Sequence, residues 1–210
     1  MPKHMLDLFS GLGGASEAML KAGWDVMRVE NNVLLANVPN TYHTCIFDWW
    51  AEVKILLRAG HKIPKLDLIW ASIPCTAFSQ GYNAPRSIAL REGIDYESTD
   101  GFKHAMTMVE LVREIIDTLA PRYWIVENVV GSRHYFEPYF GKPTKYGPYL
   151  LYGIHPALHI LPSDISGHKK DDSAWSSDPL RANKRSYIPL WLSNAVCQSI
   201  EAQKTLCYFD

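Results

Sequence analysis

Along the first 130 positions, short apolar runs of strand length alternate with stretches whose apolar residues recur at helical spacing. The strand-like runs are HMLDLF (4–9), WDVMRVE (24–30), LDLIWAS (66–72) and RYWIVENV (122–129). Between them ASEAMLKAG predicts a helix closed by Gly23, and NVLLANV a short helix before Pro39. WWAEVKILLRAG (49–60) predicts another helix that ends in glycine. The strongest amphipathic pattern covers 102–120, with Pro121 as its stop. The polar stretch from Thr76 to Asp100 is too long for an ordinary connector, which marks it as a candidate functional loop. This alternation predicts an α/β fold with a mostly parallel sheet wrapped by helices.

After Gly131 the texture changes: Pro, Gly, Tyr and His dominate to about residue 187, and 188–203 then predicts a closing helix. The expected organisation is a core over 1–130, a small region over 131–187, and a C-terminal helix over 188–210 packing back on the core.

Composition narrows the function classes. A chain of 210 residues with 47% hydrophobic content suits one domain with a substantial core. A formal charge of −1 argues against coating nucleic acid by bulk electrostatics, but leaves room for a local basic groove. Cys45, Cys75, Cys197 and Cys207 are scattered without a CxxC pair, a poor zinc or disulfide framework that suits a reducing compartment. The N-terminal apolar run is too short for a signal peptide and no segment is long enough to span a bilayer, so a cytoplasmic protein is expected.

The candidate chemistry gathers at strand ends. DLFSGLGGASEAM joins a strand, a glycine turn and a helix N-terminus, an arrangement that lets a nucleotide-like ligand approach the backbone. Glu30 ends the second strand, where an acid can accept ribose hydroxyls. GxGxxG spacing and a GxxxxGK[ST] phosphate loop are both missing. Asp48 suits either an adenine amino group or the cap of the helix predicted from Trp49. Cys75 follows Pro74 at the end of the third predicted strand; it is either a packed core thiol or a nucleophile held on a loop. Glu127 and Asn128 end the fourth. Asp7, Glu30, Cys75 and Glu127 thus all fall at or near the ends where ligands gather in open parallel sheets.

Other features point less sharply. HKKDD (168–172) reads as a solvated mixed-charge loop. His155 and His159 stand four apart, but Pro156 and the missing third ligand argue against a metal site. The aromatic and basic residues from Arg133 to Tyr152 suit either stacking on single-stranded bases or turn packing.

DLFSGLGG, Glu30, IPCTAFS and ENV, in that order over roughly residues 5–130, resemble the cytosine-carbon-5 methyltransferase family. GKPTKYGPYLLYGIHP and RSYIPLWLSNAV are similar, more loosely, to its short phage-type members. The resemblance implies a Rossmann-like, S-adenosylmethionine-dependent methyltransferase with a reduced target-recognition region. It implies cofactor binding by Asp7, Phe9, Ser10, Gly11, Gly13, Glu30, Asn31, Asp48 and Pro74. Cys75 becomes the nucleophile, held by Pro74, while Glu127 with Asn128 holds the target base, and Ser79, Arg181 and Arg185 contact substrate.

The sequence departs from that family in three places. Thr76 stands where many members have glutamine, the Gln-x-Arg-x-Arg strand is missing, and the usual large recognition domain has no room. Arg181, Lys184 and Arg185 are the substitute candidates for the arginine that binds the base oxygen, although a solvated basic loop remains equally open. The implied reaction is methyl transfer to carbon 5 of cytosine in DNA. Methylation of tRNA or a free nucleotide, and a non-catalytic binding relative, are the alternatives. The Pro74-Cys75 and Glu127-Asn128 pairs speak against the last, since binding alone needs no thiol. The expected partner is cytosine-containing DNA, with room for a separate specificity partner and without membrane or metal, in the cytoplasm (a host's, for a phage protein).

Overall fold

The computed structural model describes residues 2–160 and 177–206, with side chains through 203. Its centre is a seven-stranded sheet in the order β3-β2-β1-β4-β5-β7-β6. The strands are β1 (His4–Leu8), β2 (Asp25–Glu30), β3 (Thr41–His43), β4 (Leu68–Ser72), β5 (Tyr123–Asn128), β6 (Thr144–Tyr146) and β7 (Tyr149–Ile154). β1 to β5 run parallel, while β7 pairs antiparallel with β5 and carries β6 at the edge. The four predicted strands, β2, β1, β4 and β5, lie side by side within this sheet, and β7, which was not predicted, completes its interior. β3, which has no apolar run to announce it, adds one edge by continuing from β2.

Burial explains the near-continuous apolar strands. Leu68, Ile69, Trp70 and Ala71 of β4 are all fully buried, because helices cover both faces of the sheet. On one face, α2 (Ile46–Arg58), α4 (Asp100–Leu119) and α5 (Arg133–Phe140) pack around Trp50, Val109, Ile115 and Phe136. On the other, α1 (Glu17–Lys21) and the C-terminal helix pack around Met19, Trp70, Leu192 and Val196. α4 starts where Thr99 accepts a hydrogen bond from the Phe102 amide, and it stops at Ala120, left-handed at φ +42°, before Pro121.

Several expected boundaries shift. α2 begins at Ile46 rather than Trp49, and α1 is only five residues long. NVLLANV forms a single 3-10 turn, Val33–Leu35. The polar stretch after Thr76 is not an open loop: it contains α3 (Pro85–Arg91) and a 3-10 turn, Tyr96–Ser98. Beyond the boundary expected at 130, β7 is hydrogen-bonded to β5 in the same sheet. The closing helix is preceded by α6 (Arg181–Arg185) and is itself α7 (Leu190–Leu206). HKKDD (168–172) and Cys207 lie outside the described residues. No helix among the described residues is long and apolar enough to cross a membrane.

Candidate active site

The C-terminal ends of the parallel strands open onto one cavity of about 960 Å³. It runs from the loop after β1, past Glu30, to the loop after β4 and Glu127. Phe9, Ser10 and Gly11 form its first wall. Phe9 and Gly11 both have left-handed backbone, at φ +56° and +53°; for a phenylalanine this conformation is costly and must be imposed by its surroundings. Two bonds impose it: the Ser10 amide donates to Val29 O at 3.2 Å, and the Gly11 amide to Glu30 Oε2 at 2.8 Å.

Glu30 is 8% exposed and lines the cavity. Besides Gly11, its carboxylate accepts the amides of Asn31 at 3.1 Å and Asn32 at 2.9 Å. These three bonds tie the glycine turn to the end of β2. A carboxylate offers about four lone-pair sites, so capacity remains for a ligand hydroxyl.

Four sequence-predicted residues do not line the cavity. Asp7 is completely buried beneath it, where the Ser16 hydroxyl donates to Oδ2 at 2.6 Å. Burial pushes its carboxyl up to about 7, while Ser16 and Arg28 pull it down. Gly13 faces a buried guanidinium rather than a ligand: a Cβ there would lie 2.4 Å from Arg28 Cζ. Arg28, 2% exposed, donates to Gly13 O, Ser16 Oγ and Pro39 O at 2.9, 2.9 and 3.0 Å. Thus Asp7, Ser16 and Arg28 form a buried polar anchor under the turn.

Asp48 is exposed in the first turn of α2, whose N-cap position is taken by Cys45. It therefore neither caps the helix nor reaches the cavity, and its charge suits the positive helix end. Ile46 and Phe47 line the wall instead. Asn128 is 1% exposed and works on the backbone: Nδ2 donates to Ile73 O at 2.8 Å and Oδ1 accepts the Val129 amide at 2.9 Å. It pins the segment entering Pro74-Cys75 to the end of β5.

Pro74, Cys75, Ser79 and Glu127 share the far end of the cavity. Cys75, half-buried, opens a 3-10 turn, Cys75–Ala77. Phe78 anchors that turn, fully buried with its ring 4.9 Å from that of Phe136, and the Tyr96 hydroxyl donates to Ala77 O at 2.8 Å. Cys75 is therefore not a packed core thiol. Glu127 presents its carboxyl here; burial pushes it up to about 7, while the Ser72 hydroxyl pulls it down.

The far wall was only partly legible in the sequence. Arg181 and Arg185 of α6 line the cavity, and Arg181 Nε is buried without a hydrogen-bond partner among the described residues. Lys184 is not on the wall; it pairs with Asp178 at 2.5 Å. Asn183 accepts from Asn32 Nδ2 at 3.1 Å, joining α6 to the end of β2. Tyr149 at the start of β7 also faces the cavity, its phenol pushed up to about 12 by burial and by the nearby Glu127 charge. Ser72 and Tyr149 went unpredicted because only strand register brings them beside Glu127. Among the described residues no group of three or more His, Cys, Asp or Glu is placed to hold a metal.

Comparison with known proteins returns two solved structures and one family pattern. A DNA modification methyltransferase encoded within a prophage (E. coli) is 24% identical, with a TM-score of 0.46, over 72% of this chain and 46% of that one. A SAM-dependent methyltransferase from Archaeoglobus fulgidus is 13% identical, with a TM-score of 0.36, over 68% and 55%. The chain thus spans about half the length of each of these two structures. No curated protein matches. The sequence pattern of the C-5 cytosine-specific DNA methylases matches residues 4–153, which contain the glycine turn, Glu30, Cys75 and Glu127. This chain belongs to the C-5 cytosine-specific DNA methylase family.

Proposed function

We propose that the protein transfers the methyl group of S-adenosylmethionine to carbon 5 of cytosine in DNA. The observation that carries this reading is the continuity of one cavity from the glycine turn and Glu30 to Cys75 and Glu127. The residues present fit the cofactor. Glu30 has acceptor capacity for ribose hydroxyls, and Phe9, Ile46 and Phe47 offer apolar surface to an adenine ring. When bound, S-adenosylmethionine supplies an electrophilic methyl on a sulfonium.

The chain's residues do the rest. Carbon 5 of cytosine is a poor nucleophile within its ring. The Cys75 thiolate adds to carbon 6, forming a C–S bond and pushing the 5,6 electron pair toward carbon 5, which takes the methyl. Water then takes the proton from carbon 5, the freed electron pair re-forms the 5,6 double bond, and the C–S bond breaks to release the Cys75 thiolate. Glu127 faces ring nitrogen 3 and the amino group. With its carboxyl held near neutrality, it can keep a proton to donate as charge builds on the ring. Pro74 and Asn128 hold the nucleophile's segment, and Ser79 lies beside it on the wall.

Arg181 and Arg185 contact the nucleic acid. That Arg181 Nε has no partner among the described residues supports that role, because a buried donor without a partner is costly until something accepts from it. A base in a duplex must be extruded to reach this cavity, so single-stranded or distorted cytosines are favoured.

Labelled S-adenosylmethionine incubated with duplex DNA, single-stranded DNA, tRNA and deoxycytidine monophosphate tests the substrate class. DNA is expected to carry the label. DNA containing 5-fluorocytosine should trap an adduct with the wild type and none with Cys75→Ser. Label only on tRNA or nucleotide, or full activity in Cys75→Ser, overturns the reading.

A further inference from the structure

Three neighbouring strands bring one side chain each to the same stretch of the sheet's edge. Ser72 of β4 stands directly opposite Glu127 of β5 in the parallel register. Tyr149 opens β7, two residues before Leu151, which pairs with Glu127. Since side chains alternate along a strand, Trp70 and Ser72 project from the same face as Glu127. Trp70 is fully buried, and its indole N–H donates to Ser72 Oγ at 2.9 Å.

An indole N–H can only donate. Its bond therefore occupies Ser72 as an acceptor and leaves the single hydroxyl proton to point elsewhere, and the group opposite is the Glu127 carboxyl. We infer that Ser72 is a positioning residue: locked by Trp70, it donates to one oxygen of Glu127, so that the other oxygen carries the proton and turns it toward the cavity. This inference rests on the reading of Glu127 as the acid that holds the target base. It explains how a carboxyl at a strand end keeps one orientation while its burial favours the protonated form.

The surroundings leave Ser72 as the group that sets this orientation. From β7, Tyr149 faces Glu127, but its phenol is held well above neutral pH and stays uncharged. From the loop after β4, Cys75 shares the cavity, and from α6 Arg181 and Arg185 line its wall. Ser72 is the group that pulls the Glu127 carboxyl down against the effect of its burial. Were Ser72 only satisfying the buried indole, its removal would cost stability without touching the titration of Glu127.

The test follows the titration of the Glu127 carboxyl by carbon-13 NMR in the full chain, the resonance being assigned by its loss in Glu127→Gln. In Ser72→Ala the midpoint should move up, because the hydroxyl stabilises the ionised form. Ser72→Thr, which keeps the hydroxyl, should restore it. The pH limb of kcat should move in the same direction, with kcat at saturating substrate lower by about tenfold and cofactor affinity unchanged. Should Ser72→Ala fail to fold, Trp70→Phe keeps the ring bulk, frees Ser72 to rotate, and should raise the midpoint too. An unmoved midpoint in a folded variant of either kind overturns the inference. The NMR measurement needs no turnover, so a wild-type protein inactive on every cytosine substrate would count against the proposed function alone.

Discussion

Asp7→Asn isolates the energetic consequence of burying an acid beneath the glycine turn. The carboxyl is completely buried and accepts from Ser16 at 2.6 Å, and Oδ1 has no hydrogen-bond partner among the described residues. Burial moves its titration from 3.8 to about 7, against the pull of Ser16 and Arg28. The folded protein therefore holds a proton that the unfolded chain has already released between those values. Protons bound by the folded state make stability fall as pH rises. The contribution of Asp7 is fully present below pH 3.8 and is lost as pH climbs through about 7. A shift of roughly three units at 1.36 kcal/mol each is worth about 4 kcal/mol.

Asparagine keeps the shape and the acceptor for Ser16 but cannot titrate. Urea unfolding of both proteins at pH 4.5, 6, 7 and 8 should give a difference that grows with pH in favour of Asp7→Asn. The amide also places an N–H2 where Oδ1 now lacks a partner, which adds an offset of about 1–3 kcal/mol independent of pH. The slope decides, not the offset. Glu127 titrates over the same range in both proteins and cancels from the difference. Parallel stability curves from pH 4.5 to 8 would refute the placement of Asp7 as a protonated buried acid.

Three further outcomes follow from the geometry. Gly14→Ala should lower stability by about 1–3 kcal/mol in thermal or urea unfolding, because its Cβ would lie 2.3 Å from Ile188 O and 2.8 Å from the Tyr187 ring. A melting temperature equal to the wild type would show that α6 and the segment after it do not pack on the glycine turn. Glu30→Ala should weaken S-adenosylhomocysteine binding in calorimetry by a factor of about 10–100, the worth of a charge-assisted hydrogen bond; unchanged affinity would place the ribose elsewhere. Asn128→Leu keeps the side-chain volume but removes the bond to Ile73 O, so kcat should fall while cofactor affinity holds. Unchanged kcat would mean that the segment carrying Cys75 needs no such clamp.

The residues at strand ends could be found in the sequence because burial writes itself into composition. A strand covered on both faces must be apolar throughout, as in LIWA (68–71) and WIV (124–126), so a polar residue at its end marks the place where the chain leaves the core. That made Glu30, Cys75 and Glu127 visible, and they share one cavity. The strong helical period likewise located α4, and Pro121 its end.

What the sequence could not decide depends on contacts between distant segments. Asp7 and Glu30 both look like strand-end acids, yet one is sealed under Ser16 and Arg28 while the other reaches the cavity. The glycines of one turn divide their labour in the same way: Gly13 makes room for Arg28 and Gly14 for the backbone of Ile188, 174 positions onward. β3 carries no apolar signature because an edge strand needs only the backbone bonds of β2. Ser72 and Tyr149 come beside Glu127 through the pairing of β4, β5 and β7, and a local pattern holds no record of which strand lies next to which. Burial of a single segment is a local property that its own residues must satisfy, whereas the partner of a buried polar group is chosen only when the sheet closes.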